Sequence, residues 1–144
     1  MRNISIILAS CLFILSSCAG PVRHIGANPS SGGKQTVYLI NYEAADAACL
    51  QSMMATFPDI PFERASFPKP YIRYQANMRI ALDHHTVVVT AIPYFNQSSK
   101  SQETYGYSFE VSDHGSIIIQ GPQRAGALAN YLNTSLSGFR KEEK

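Results

Sequence analysis

Hydrophobic and polar residues alternate over residues 72–82, and this is the clearest pattern in the chain. Successive side chains of a β-strand point to opposite faces of the sheet. The alternation therefore predicts one long strand, with an apolar face on a core and a polar face towards solvent or a partner. The even positions are Ile72, Tyr74, Ala76, Met78, Ile80 and Leu82, and the odd positions are Arg73, Gln75, Asn77, Arg79 and Ala81.

Shorter apolar runs predict four more strands. Turns are expected at residues 83–85 and 112–115, because Asp is a common turn former and Gly115 can adopt a positive φ. Pro93 lacks a backbone N–H, so its strand is expected to bend or to reach a sheet edge there. The four strands are predicted at residues 36–42, 86–95, 104–111 and 116–120.

Two helices are predicted, over residues 43–57 and 122–137. Asn41 suits the N-cap of the first helix. Pro122 suits the first turn of the second helix, and Gly138 suits the position just past its end. Apolar residues at helical spacing indicate the buried faces, which are Ala47, Leu50, Met54 and Phe57 in the first helix and Ala125, Leu128, Ala129, Leu132, Leu136 and Phe139 in the second.

These elements follow the order β-α-β-β-β-β-α. The order predicts an α+β fold in which a four- to five-stranded antiparallel sheet carries both helices on one face. The second helix is expected to dock on the even face of the long strand. The arrangement resembles helix-grip domains, a likeness of fold that implies no function. Residues 36–139 are predicted to form this single domain, and residues 140–144 a charged tail.

The N-terminus is built like a bacterial export signal, with Arg2 followed by an apolar run over residues 4–15. The run is shorter than the roughly 20 residues that a membrane-spanning helix needs. The stretch Leu15-Ser16-Ser17-Cys18 resembles the lipobox of bacterial lipoproteins. The resemblance implies a signal peptide over residues 1–17, cleavage before Cys18, and a lipid-modified, acylated Cys18 at the mature N-terminus.

Residues 18–35 are expected to form the lipidated N-terminus and a flexible tether, because Gly, Pro and Ser dominate and no apolar period is present. Ala19 is not the Asp that lipoproteins retained in the inner membrane carry after the cysteine. The resemblance therefore implies the outer membrane, with the domain facing the periplasm. After cleavage and lipidation Cys49 is the remaining thiol, and it is expected to be buried and unreactive.

The polar side of the long strand is the first candidate site. Arg73, Gln75, Asn77 and Arg79 suit the recognition of a partner protein or an acidic saccharide. A solvated sheet face is the alternative interpretation. With 15% charged residues and a formal net charge of +2, the chain has no basic excess that would indicate nucleic-acid binding.

A second candidate site follows from the predicted turns, which lie at the same end of the sheet. Three imidazoles and two carboxylates on neighbouring hairpin tips could ligate zinc. Ordinary turn residues are the stronger interpretation, because no pair has a recognised metal-ligand spacing, and no metal or other cofactor is expected. The residues are Asp83, His84, His85, Asp113 and His114.

No nucleophile elbow, glycine-rich phosphate loop or paired-carboxylate arrangement indicates an enzyme. The chain is therefore expected to be a lipid-anchored, non-enzymatic accessory or assembly subunit of an envelope or secretion complex. One alternative is a lipoprotein that binds a small ligand or acts as an inhibitor, and another is a metal-dependent enzyme. The ligand site would lie between helix and sheet, lined by Met54, Tyr74, Met78 and Phe109.

Overall fold

The protein has the predicted α+β fold, with one antiparallel sheet and two helices on one of its faces. The sheet has five strands, in the spatial order β1-β5-β4-β3-β2. The strands are β1 (Arg23–His24), β2 (Phe62–Arg64), β3 (Ile72–Ile80), β4 (Asp83–Phe95) and β5 (Thr104–His114), and the helices are α1 (Tyr42–Thr56) and α2 (Gln120–Ser135), followed by a 3₁₀ helix at Ser137–Phe139. The computed structural model describes residues 23–24, 36–80, 83–95, 103–115 and 120–141.

Strand β3 confirms the predicted alternation. Ile72, Tyr74, Ala76 and Met78 are buried in the core, while the residues between them lie on the opposite face. The strand pairs with β4 along its whole length, from Ile72 opposite Ala91 to Ile80 opposite Asp83. This long pair forms the centre of the sheet.

The two turns predicted at residues 83–85 and 112–115 are wrong for most of their residues. Residues 83–85 begin β4 and residues 112–114 end β5, because strand pairing continues through both segments. Asp and His are tolerated there since the ladder satisfies their backbone groups. Of the strand predicted at 116–120, residues 116–119 lie outside the described part of the chain, and Gln120 begins α2.

Strand β4 becomes irregular near Pro93, as its sequence predicts. Beyond Ala91, β4 pairs with β5 alone among the described strands. Its register with β5 shifts between Tyr94 and Phe95. A residue without an N–H is tolerated at such a place, where the ladder is incomplete.

Helix α1 begins at the predicted N-cap, where the Asn41 Oδ1 accepts a hydrogen bond from the Ala44 N–H at 2.8 Å. Of the predicted buried face, Phe57 is buried as expected, but the other three residues are exposed, with Leu50 at 39% and Met54 at 57%. The helix has apolar residues on several sides, so spacing alone does not select one of them. Docking on the sheet selects a face that includes Ala45, Cys49, Ser52 and Met53.

Helix α2 buries most of its predicted stripe, namely Ala125, Leu128, Leu132 and Leu136, whereas Phe139 is exposed. The helix contacts β4 and β5, and α1 covers β3 and β4. The expected docking of the second helix on the long strand was therefore wrong. Helix α1 already occupies that position, where the Tyr74 hydroxyl donates a hydrogen bond to the Asp46 Oδ1 at 3.1 Å.

The strand predicted at residues 36–42 is reduced to pairing at Tyr38, whose N–H and C=O both bond to Tyr107 in β5. Tyr38 also pairs with Arg140 on its other side, so this segment lies between β5 and the chain that follows α2. Gly106 permits the close approach, because a Cβ at that position would lie 2.4 Å from the Tyr38 carbonyl oxygen.

Two residues of the predicted tether belong to the sheet. Arg23 pairs with Val111 and His24 with Glu110, antiparallel, along the edge of β5 that is opposite β4. The prediction missed β1 because two residues are too short to produce a periodic pattern. In the part of the chain that is described, no helix has the length and apolarity needed to cross a membrane.

Candidate functional site

The candidate site is the face of the sheet that points away from both helices, here called the outer face. The even residues of β3 enter the core, so strand alternation places Arg73, Gln75, Asn77 and Arg79 together on the outer face. Asn77 and Arg79 are exposed, and Arg73 and Gln75 are half-buried. The structure thus brings the four predicted residues into one row.

Two members of this row are bound to neighbouring strands. Gln75 Nε2 donates a hydrogen bond to Glu63 Oε1 at 2.6 Å, and Asn77 Oδ1 accepts one from the Thr86 hydroxyl at 2.8 Å. The Arg73 Nε is buried and has no hydrogen-bond partner within the described structure. Because both amides are hydrogen-bonded within the sheet, the arginine guanidinium groups are the groups of this row best suited to contact a partner.

Three exposed apolar residues lie on neighbouring segments at one end of the sheet, and the sequence pattern did not predict them. Tyr94 pairs with Gly106, and the segment at residues 37–40 runs along the other side of Gly106. In that segment the Leu39 N–H donates a hydrogen bond to the Phe139 carbonyl at 2.8 Å. We call Leu39, Tyr94 and Phe139 the apolar strip; they are 46%, 46% and 52% exposed.

The sequence contained part of the information needed to find the strip. The strand predicted at residues 36–42 includes Leu39, but residues 37–40 are all apolar, so only the structure shows that Leu39 is exposed between buried Tyr38 and Ile40. Phe139 could not be found from the sequence either, because its spacing continues the apolar stripe of α2. The chain leaves the helix at Ser135, which turns Phe139 away from the core.

A cation borders the strip. The ring centres of Tyr94 and Tyr105 are 6.4 Å apart, and the Lys141 Nζ lies 5.0 Å from the centre of the Tyr105 ring. Arg73 lies on the same face, opposite Thr90 and four residues from Tyr94 along β4, so positive charge lies on this side of the exposed aromatic side chains. Exposed aromatic groups near arginine are typical of surfaces that bind proteins.

The histidine and aspartate cluster is divided between the two faces of the sheet, so the hairpin-tip arrangement was wrong. His85 and Asp113 point into the core, at 1% and 4% exposure, and the His85 Nδ1 lies 3.2 Å from the Asp113 Oδ1. His84 and His114 are exposed, and strand alternation places them on the outer face. Asp83 begins β4 opposite Ile80. No three His, Cys, Asp or Glu residues of the described ranges could hold a metal ion together.

The His85–Asp113 pair is closed off by the chain that follows β5. A Cβ added to Gly115 would lie 2.1 Å from the His85 Nδ1, so the backbone passes directly over the imidazole ring. The pair is a buried polar contact that joins the adjacent ends of β4 and β5.

Cys49 is buried in the core, in agreement with the sequence prediction. Burial, with a smaller contribution from Asp46, raises the pKa of the Cys49 thiol. Because the thiolate is the reactive form, this environment makes Cys49 a poor nucleophile.

The predicted ligand pocket between helix and sheet was also wrong. Tyr74, Met78 and Phe109 belong to the packed core, while Met54 faces solvent. The structure instead has an open cleft of about 470 Å³ between the end of α1 and α2. Its lining residues are Ala55, Thr56, Gln123, Arg124, Ala127 and Tyr131.

Comparison with protein families, with curated proteins and with solved structures finds no match for this chain. A functional assignment therefore depends on the N-terminal sequence and on the chemistry of the described surface. Of the surfaces described above, the outer face combines exposed aromatic residues with unpaired arginine nitrogen.

Proposed function

We propose that the protein is a lipid-anchored subunit of a bacterial envelope or secretion assembly, which binds a partner protein through the outer face of its sheet and catalyses no reaction. The lipobox-like stretch ending at Cys18 supports the anchor, and Ala19 supports the outer membrane with the domain in the periplasm. The observation that carries the binding role is the apolar strip on the same face of the sheet as Arg73.

The chemistry of the outer face defines the partner. The three side chains of the strip lose solvent-exposed apolar surface when a partner covers them, which favours association. Arg73 supplies a planar donor group that suits carboxylates. The partner is therefore a protein that presents apolar side chains next to acidic ones.

Co-purification from membranes tests this proposal. The tagged protein and two double variants would be extracted in mild detergent, and the proteins bound in stoichiometric amounts would be compared. The strip variant is Leu39→Ser with Tyr94→Ser. The control is Leu50→Ser with Met54→Ser, which alters similarly exposed apolar residues on the solvent side of α1.

We expect one stoichiometric partner to be retained by the control and lost from the strip variant, because only the strip lies on the binding face. Arg73→Glu, introduced alone, should also release it. The proposal fails if no stoichiometric partner is present, or if the strip and control variants retain the same partner equally.

A further inference from the structure

We infer that strand β1 fixes the orientation of the protein on its anchoring membrane, with the His114 end of the sheet towards the lipid and the apolar strip away from it. The inference rests on the proposed lipidation of Cys18. It adds that the partner is reached from the periplasmic side rather than within the anchoring bilayer.

The first step is the direction of β1. Its antiparallel pairing places Arg23 opposite Val111 and His24 opposite Glu110. The chain therefore enters β1 from the end of β5 that terminates at His114. The apolar strip lies level with Gly106, near the opposite end of β5.

The second step is the length of chain between lipid and sheet. Cys18 precedes Arg23 by five residues. A fully extended chain spans at most about 3.6 Å per residue, so the lipid-bearing residue lies within about 18 Å of Arg23. A tether running freely to Thr36 would reach more than three times as far, and it would let either end of the sheet face the membrane.

The third step is the position of the strip. Gly106 and Val111 are five residues apart in β5, which corresponds to about 17 Å along the strand. The strip is therefore displaced from β1 in the direction opposite to that from which the chain enters. The end nearer the lipid exposes polar side chains, including Arg79, His84 and His114, which suit a headgroup region.

A cross-strand disulfide tests the pairing of β1 independently of lipid. Paired antiparallel residues have Cα atoms 4.5–5.5 Å apart, within the range of a disulfide. In the full chain, His24→Cys with Glu110→Cys should be oxidised in most molecules under mild oxidant. His24→Cys with Thr104→Cys, six residues along β5, should remain reduced. The inference is overturned if the first pair stays reduced or if both pairs oxidise equally.

Fluorescence quenching tests the orientation. The full-length protein, purified from membranes, would be reconstituted in phosphatidylethanolamine and phosphatidylglycerol vesicles that carry a headgroup quencher. A thiol dye would be attached at His114→Cys or at Phe139→Cys. The lipidated Cys18 and the buried Cys49 leave the introduced cysteine as the reactive thiol of the mature protein.

We expect the dye at position 114 to be quenched at least twofold more than the dye at position 139. His24→Pro removes a β1 N–H and should abolish this difference while the protein stays bound to the vesicles. Equal quenching at both positions with β1 intact, or stronger quenching at 139, would overturn the inference.

Mass spectrometry of the mature N-terminus distinguishes a failure of this inference from a failure of the proposed function. If acyl chains are present and quenching is equal, the orientation is wrong but the anchor stands. If acyl chains are absent, both the anchor and the membrane orientation fail, and the disulfide result then shows whether β1 itself pairs with β5.

Discussion

At the scale of single residues, the contact between His85 and Asp113 places two polar side chains inside the core. Both side chains are polar, and both lie in the core layer at the ends of their strands. Burying such groups costs free energy unless they bond to each other or to the backbone. Their contact at 3.2 Å offsets that cost, which explains why polar residues occupy positions that strand alternation assigns to the core.

We expect His85→Ala to lower the free energy of unfolding by about 1–3 kcal/mol, because it removes the partner of a buried carboxylate. The neighbouring His84→Ala is the control, since its side chain is exposed, and it should change stability by about 0.5 kcal/mol or less. Urea denaturation followed by circular dichroism measures both values. Equal effects of the two substitutions would contradict a stabilising role for the pair.

The sequence identified the histidines and aspartates as a candidate cluster, but it did not predict how they are placed relative to each other. Asp83, His85 and Asp113 are typical of turns, and a local interpretation places them on hairpin tips. The ladder between β4 and β5 instead continues to Thr86 opposite His114, and alternation then divides the cluster between the two faces. The decisive factor is cross-strand register, which is a non-local property.

At the scale of secondary-structure elements, the segment at residues 37–40 depends on a glycine in its neighbour. We expect Gly106→Ala to destabilise the protein by about 1–3 kcal/mol, because the added methyl group would displace the Tyr38 backbone. Gly138→Ala is the control, since a Cβ there would meet nothing within 4 Å. Thermal unfolding of the two variants should give a lower midpoint only for Gly106→Ala.

The elements that could be predicted are those with a strong local period. The alternation in β3 and the stripe Ala125, Leu128, Leu132 of α2 each allow a single interpretation, and both are confirmed. Helix α1 was located correctly, but its buried face was not, because Leu50 and Met54 compete with Cys49 and Met53 for the core. Packing against the sheet determines which face of α1 is buried, and a local sequence pattern does not contain that information.

On the outer face, the row of polar residues could be predicted from the sequence, whereas the apolar strip could not. The row from Arg73 to Arg79 follows from the period of one strand. The apolar strip combines residues from three separate segments, Leu39, Tyr94 and Phe139, which meet only after the segment at 37–40 is inserted between β5 and the chain after α2. A surface assembled from distant segments leaves no contiguous pattern in the sequence.

At the scale of the whole molecule, the proposed anchor makes the location depend on one side chain. We expect Cys18→Ser to move the protein from the envelope fraction to the soluble periplasmic fraction, or to leave it uncleaved at a higher mass, because the lipid can no longer be attached. Cell fractionation and mass spectrometry of the mature N-terminus measure this. Cys49→Ser is the control and should leave the location unchanged, since Cys49 is buried in the core.

Strand β1 also imposes an order on folding. Arg23 and His24 are synthesised long before Val111 and Glu110, so this edge of the sheet forms only after the last strand has been made. Contacts between residues far apart in the chain form slowly, because a large loop must close first. Under the proposed lipidation, Cys18 therefore stays accessible to modifying enzymes until β5 has been made, and the pairing of β1 with β5 follows.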